Sequence, residues 1–339
     1  MRLATRPLGQ TGLSVTELGF GAAGLGNLYA PLDDATARAT VDAALDAGIG
    51  YVDTAPFYGF GLSERRVGDA IRHSGALVST KVGRLLAPDP RVHDDRERDG
   101  FRSAMPFAPV FAYDHASIMR SWEASLQRLG VASIDILYVH DIGRLTHGDD
   151  HDRTFGQLVA GGGLRALEEL RDGGAIGGFG IGVNEVDICL DVMAETRLDA
   201  ILLAGRYTLL EQDALDRLMP ACAAVGTSIV IGGPYNSGIL ATGTNGPTPY
   251  YDYAPAPAAV IARVAAIEAV AGRHDVPLAA AALQFPLAHP VVASVIPGLA
   301  DPARVADTMR LYRTAIPRDF WAALKAEGLL RPDAPVPAA

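Results

Sequence analysis

Short apolar runs, bounded by Gly, Pro or polar residues and separated by helical patterns, predict an α/β chain whose buried parallel strands close into a (β/α)8 (TIM) barrel. Eight such runs can be counted along the chain. Residues able to do chemistry sit at or just past the ends of successive runs: Asp53 and Tyr58 with IGYVD, Lys81 after LVST, His140 closing IDILYVH, and Asn184 after FGIGV. In a barrel the C-terminal strand ends converge on one face, where the active site belongs. The chain therefore reads as an enzyme.

The elements follow in order. LGQTGLSVTELGFG reads as a Gly-turned hairpin running into a first barrel strand, and Asp33 with Asp34 opens the helix DDATARATVDAALDAG. IGYVD is the second strand. Ser63 is expected to cap SERRVGDAIR, whose Val67, Ala70 and Ile71 recur at helical spacing. LVSTKV is the third strand, SIMRSWEASLQRLG and IDILYVH the next helix and strand, and GLRALEELRDGG with GGFGIGV the fifth unit. ICLDVMAET precedes DAILLAG, DALDRLMPACAAVG precedes SIVIGG, and helices around Ala258 to Ala288 precede VASVIPG. With no Pro/Ser-rich linker and no repeat beyond the βα unit, residues 1–339 read as one barrel domain with an N-terminal hairpin and long substrate loops.

Composition narrows the function. The 339 residues are 49% hydrophobic and 20% charged, enough for a large core. A net charge of -10 argues against non-specific binding to nucleic acid or anionic membrane, both of which need a basic surface. No apolar stretch reaches the roughly 18 residues of a membrane span, and MRLATRPLGQTG lacks a signal-peptide core, so a cytoplasmic protein acting on a small molecule is expected. Cys189 and Cys222 are too few for a disulfide framework or zinc site and are expected as reduced core residues.

Two segments interrupt the alternation. Residues 84–114 are long for a βα connection and carry Phe101, Met105, Phe107, Phe111 and Tyr113, the pattern of a lid over the substrate. NSGILATGTNGPTPYYDYAPAPA, after the seventh strand, is rich in Gly, Pro and Tyr and reads as a fold over a bound cofactor. Two motifs read as decoys. Gly19, Gly21 and Gly24 spell GxGxxG, but LGNLYAPLDD follows instead of an immediate helix, so these glycines are expected to let backbone approach a ligand. HGDDHD, with His147, Asp149, Asp150, His151 and Asp152, reads as a solvated loop and not as a metal site.

The constellation of Asp53, Tyr58, Lys81 and His140 puts an acid, a phenol, an ammonium and an imidazole on adjacent strands. A phenol titrates near 10, too high for proton transfer at neutral pH, and an adjacent ammonium is expected to lower that value. Asp53 compensates the buried Lys81, and His140 orients the reacting oxygen.

These residues, with LGQTGLSVTELGFG, YVDTAPFYGFGLSE, STKVG, DILYVHD, GIGVN, GPYNSGIL and VIPGLADPARV, make the chain resemble the aldo-keto reductase superfamily over essentially its whole length. AAGLGNLYAPL, VFAYD and ILLAGRYTLLEQ are similar to its aldose 1-dehydrogenase branch, whose members act on L-fucose, D-threo-aldoses, L-galactose and pyridoxal. The resemblance implies a nicotinamide cofactor bound without a Rossmann fold and a tetrad of Asp53, Tyr58, Lys81 and His140. It further implies that Asn184 holds the carboxamide, the turn Asn236, Ser237, Gly238 and Leu240 the pyrophosphate, and Gly298, Arg304, Asp307 and Thr308 the adenosine, with Gly21 nearby. Two positions depart from the family pattern: Ala204 replaces a glutamine, and Gly232 replaces the aromatic that stacks on the nicotinamide, a role left to Tyr207 or Tyr235.

The expected reaction is oxidation of a cyclic hemiacetal, an aldose or pyridoxal, to its lactone, with Tyr58 as acid/base and Phe57, Phe111 and Tyr113 against the substrate. NAD is expected over NADP, because Gly298 stands at the position of a phosphate-binding lysine and Asp301 and Asp307 add negative charge beside Arg304. The alternatives are an aldehyde or ketone reductase, a Schiff-base aldolase using Lys81, and a nucleotide-binding protein without turnover.

Overall fold

The eight apolar runs become eight parallel strands of one sheet, ordered in space as in sequence: β1 (Phe20–Gly21), β2 (Tyr51–Asp53), β3 (Leu77–Val82), β4 (Ile134–His140), β5 (Ile176–Val183), β6 (Ala200–Ala204), β7 (Ser228–Gly232) and β8 (Val292–Ile296). The structure, a computed structural model, describes residues 3–244 and 249–338. The sheet closes between β1 and β8, where the Gly19 amide donates to the Val295 carbonyl at 2.9 Å and the Gly21 amide to the Pro297 carbonyl at 3.0 Å. The glycines of the GxGxxG match make that closure possible. A Cβ on Gly19 would lie 2.6 Å from Ile296 Cγ2, and one on Gly21 3.0 Å from the Pro297 carbonyl oxygen. They admit the neighbouring strand at the barrel seam.

The hairpin Thr5–Pro7/Ser14–Thr16 precedes the barrel. Its Leu8 and Val15 are fully buried in one cluster with Tyr51, Ile136, Val230 and Ala293, so it plugs the N-terminal mouth. Around the sheet lie α1 (Asp34–Asp46), α2 (Leu62–Ile71), α3 (His115–Leu129), α4 (Gly163–Asp172), α5 (Asp187–Glu195), α6 (Leu218–Val225), α7 (Ala258–Arg273), α8 (Leu278–Gln284) and α9 (Pro302–Tyr312). Along β5 the alternation shows how the strands serve both layers. Phe179, Ile181 and Val183 join the core cluster that includes the helices, each contributing about 1.5–3 kcal/mol by burial, while Gly182 leaves room inside for Lys81 and Tyr138.

Asp33 caps α1 as expected, accepting from the Thr36 amide at 2.8 Å. Ser63 does not cap α2. Gly61, at φ 100°, takes the N-cap position, and Ser63 lies one residue inside the helix, donating to the Ala22 carbonyl at 2.7 Å and bonding Thr54 Oγ1 at 2.8 Å. It ties the ends of β1 and β2 together. Cys189 and Cys222 are free and buried on α5 and α6.

Residues 84–114 are not a plain loop. Arg84–Pro88 and Phe107–Phe111 pair antiparallel, and the excursion between them returns Phe101 to a buried contact with Phe57 and Phe60. HGDDHD, expected as a solvated loop, is helical, running from Arg144–His147 through a 3-10 turn into His151–Leu158. Asp150 pairs with Arg153, Asp152 with Arg144, and His151 is buried against the Ile142 carbonyl. In the second long segment Tyr250–Tyr251 pairs with Ala254–Pro255, while residues 245–248 lie outside the described residues.

Candidate active site

The register of β2, β3 and β4 brings Asp53, Lys81 and His140 to the same end of the barrel. Lys81 is 1% exposed and Asp53 2%, and Lys81 Nζ donates to Asp53 Oδ2 at 2.7 Å and to the Thr54 carbonyl at 2.9 Å. The same ammonium sits 4.6 Å from the Tyr58 ring centroid. Tyr58 and His140 face one another edge to face, 6.0 Å between ring centres. The four side chains, predicted from three separated segments, therefore form one group, with Asp53, Lys81 and His140 buried and Tyr58 half-buried.

Burial controls their protonation. It pushes the Tyr58 phenol up to about 12, with Lys81 pulling down and Asp53 pushing up, so desolvation outweighs the ammonium that was expected to lower it. The His140 imidazole is held well below its usual value by burial and by the Arg84 and Lys81 cations, so it is neutral at pH 7 and acts as a hydrogen-bonding group. Lys81 is raised by Asp53 and Tyr58 against the effect of its own burial, which keeps it an ammonium.

The tetrad opens into a cavity of about 920 Å3. Phe57 and Phe101 form an aromatic wall and Tyr29, Tyr250 and Tyr253 the outer rim. Phe111 and Tyr113 are not on that wall. Phe111 lies outside, against His147 and Arg84, and Tyr113 is fully buried, its hydroxyl donating to the His140 carbonyl at 2.8 Å. Tyr113 fits beneath Gly83, where any Cβ would approach its ring to 2.2 Å, and so holds the end of β4 in place.

The site also holds groups that sequence reasoning missed, three carboxylates on the cavity wall and one arginine that braces it. Asp141, next to His140 and held at φ 47°, faces the cavity with its carboxylate 3.4 Å from His140 Nε2 and paired with Arg84. Arg84 is clamped over the Phe57 ring, 4.0 Å from its centroid. Glu97 and Asp99 come from the hairpin excursion. Asp141 was legible as the D of DILYVHD. Arg84 had no such signal, since only the fold places it there.

Beyond the tetrad, Asn184 at the end of β5 donates to the Ala204 carbonyl at 3.1 Å and faces Tyr253. Tyr207, expected against a cofactor ring, is sealed between Phe285 and His289 and lines no part of the cavity. Tyr235 lines a second groove of about 520 Å3 together with Gly298, Arg304, Asp307 and Thr308. The turn between cavity and groove runs through positive φ at Asn236 (44°), Ser237 (59°) and Gly238 (104°), a backbone shape that suits an anion. Its Asn236 side chain is spent on structure, accepting from Thr208 Oγ1 at 2.6 Å and donating to the Gly205 carbonyl at 3.1 Å, and the Leu240 side chain is core. Ser237 Oγ accepts from the Tyr253 amide at 2.9 Å. Gly21 serves barrel closure, as described above.

A sequence signature of the aldo/keto reductase family matches residues 17–327. The chain belongs to that family. It is an NAD(P)-dependent oxidoreductase. Pyridoxal 4-dehydrogenase of Microbacterium luteolum is 45% identical over 334 residues, covering 96% of this chain and 97% of its own. D-threo-aldose 1-dehydrogenase of a Pseudomonas species is 40% identical over 327 residues, covering 95% and 96%. Among solved structures, the holo form of an aldo-keto reductase from Bacillus halodurans superposes with a TM-score of 0.74 at 25% identity, covering 97% of both chains.

Proposed function

We propose that this aldo-keto reductase oxidises a cyclic hemiacetal to its lactone, with pyridoxal as the leading substrate and NAD as the preferred acceptor. One observation carries the reading: Tyr58, Lys81 and a neutral His140 line one aromatic-walled cavity, with Asp53 buried behind Lys81 as its counter-ion. A nicotinamide ring, when bound, supplies the hydride acceptor. Tyr58 Oη, in its phenolate form, takes the hemiacetal hydroxyl proton as the C–H hydride leaves and the ring carbonyl forms. Lys81 stabilises that phenolate, but burial, pushing the phenol up to about 12, makes it the minor form at neutral pH. His140 donates to the reacting oxygen, and Phe57 with Phe101 covers a flat ring. Lys81 as an aldolase nucleophile is disfavoured, because its two hydrogen bonds and its raised titration keep it protonated.

The residues that would hold the cofactor fit it in chemistry. Asn184 and Ser237 offer polar atoms to the carboxamide end, and the positive-φ turn suits a pyrophosphate. Tyr253, facing Asn184, takes the stacking role expected of Tyr207 or Tyr235. In the outer groove each cation is matched by a carboxylate, Arg304 by Asp301 at 3.9 Å and Arg310 by Asp307 at 3.5 Å, which supports an uncharged ribose over a phosphorylated one.

A second reading is an aldose substrate. Asp141, Glu97 and Asp99 supply the carboxylate acceptors that several sugar hydroxyls need. Cofactor reduction measured with pyridoxal, L-fucose and L-galactose decides between the two. Turnover with pyridoxal yielding a lactone is expected. Turnover confined to open-chain aldehyde reduction would overturn the dehydrogenase reading.

A further inference from the structure

Beneath the tetrad a line of buried hydroxyls runs down the barrel axis. Ser79 Oγ donates to Asp53 Oδ1 at 2.7 Å, Tyr51 Oη lies 2.9 Å from Ser79 Oγ, and Tyr138 Oη lies 3.2 Å from Tyr51 Oη. All three residues are fully buried. Each hydroxyl has one proton, and an ionised Asp53 can only accept. The direction is thereby forced: Ser79 donates to Asp53, Tyr51 to Ser79, and Tyr138 to Tyr51.

We propose that Ser79, Tyr51 and Tyr138 are positioning residues that keep Asp53 ionised as the counter-ion of Lys81. The inference rests on the reading of the Asp53–Lys81 pair as the support of Tyr58. A carboxylate sealed at 2% exposure beside one ammonium has two oxygens to satisfy. Lys81 takes Oδ2, and the hydroxyl line takes Oδ1. Each upstream donor polarises the next, so the bond at Asp53 is stronger than a lone serine would make it. Tyr138 has no further acceptor among the described residues, so the line stabilises charge without conducting a proton out of the site.

Lys81 meets Asp53 from β3 and donates also to the Thr54 carbonyl, Tyr58 and His140 stand on the cavity side of Lys81, and the Asp141–Arg84 pair lies beside His140. Burial raises Asp53, while Lys81 and Ser79 both lower it. Removal of the hydroxyl line should therefore raise the Asp53 titration, and the acid limb of the oxidation rate should follow it upward. For Ser79→Ala the shift should be about one pH unit, the size of a single hydrogen bond to a charged group. Tyr51→Phe should shift it less, and Tyr138→Phe least.

The test has two readouts on the full chain: the pH profile of kcat/KM with NAD, and the carboxyl 13C titration of Asp53, assigned with Asp53→Asn. The graded upward shift in both supports the proposal. Lower kcat at every pH with an unmoved limb and an unmoved Asp53 titration would overturn it, as a merely structural role predicts. If Ser79→Ala fails to fold, Tyr51→Phe and Tyr138→Phe carry the same comparison. The 13C titration needs no turnover, so failure of the dehydrogenase reading, seen as an inactive wild type, remains distinct from failure of this one.

Discussion

Strands β2, β3 and β4 contribute Tyr51, Asp53, Ser79, Lys81 and Tyr138 to the barrel interior, whereas β6, β7 and β8 contribute Ala200, Leu202, Val230, Ala293 and Ile296. The first half carries a polar column with paired charge beside the apolar Ile136, and the second is apolar apart from the buried Ser294 hydroxyl and ends in the small residues Ala204 and Gly232. Fixed charge in a low-dielectric interior acts strongly on a proton that moves beside it. Of these small residues Ala204 borders the cavity, while Gly232 lets Leu202 and Ala204 pack close. The barrel therefore divides its labour by strand, with chemistry on one side and room on the other.

Four substitutions test that division, in order of expected effect. Tyr58→Phe removes only the hydroxyl from the polar half, so kcat should fall by about 10²–10⁴-fold while nucleotide affinity, read by fluorescence quenching, stays unchanged. Near-normal turnover would take the proton chemistry away from this half. Lys81→Met leaves the Asp53 carboxylate buried and unpaired, and should destabilise the fold by about 3–5 kcal/mol in urea unfolding as well as abolish turnover. A small stability loss would mean that Asp53 simply becomes protonated.

On the roomy side, Ala204→Leu should fill space beside Asn184 and raise the KM for NAD about tenfold, with a much smaller change in kcat. An effect on kcat alone would place the ring elsewhere. The smallest effect concerns the outer groove. Arg304→Ala should lower kcat/KM for NADP by no more than about fivefold and leave NAD nearly unaffected, since an exposed charge contact contributes about 0–1 kcal/mol. An NADP preference in the wild type would show that Arg304 and Arg310 outweigh their carboxylates.

The pH profile offers a further check on the polar half. With His140 held well below 6.5 by burial and two neighbouring cations, kcat/KM should show no break near that value. A break there that disappears in His140→Gln would show that the imidazole titrates in the working range.

The sequence by itself determined the strands, their parallel order and the tetrad, because apolar runs report burial through period and length, and Asp53, Lys81 and His140 sit at strand ends whose position along the barrel follows from the run lengths. Tyr58 was legible for the same reason, five residues past β2. What only the tertiary structure decided depends on contacts between distant segments. Whether Tyr113 faces a substrate or braces the His140 carbonyl turns on a cleft left by Gly83, and whether Tyr207 lines the cavity turns on Phe285 and His289 from the end of the chain. The sign of the Tyr58 shift was likewise out of reach, since desolvation is set by every neighbour at once, whereas the lysine that opposes it is a single residue.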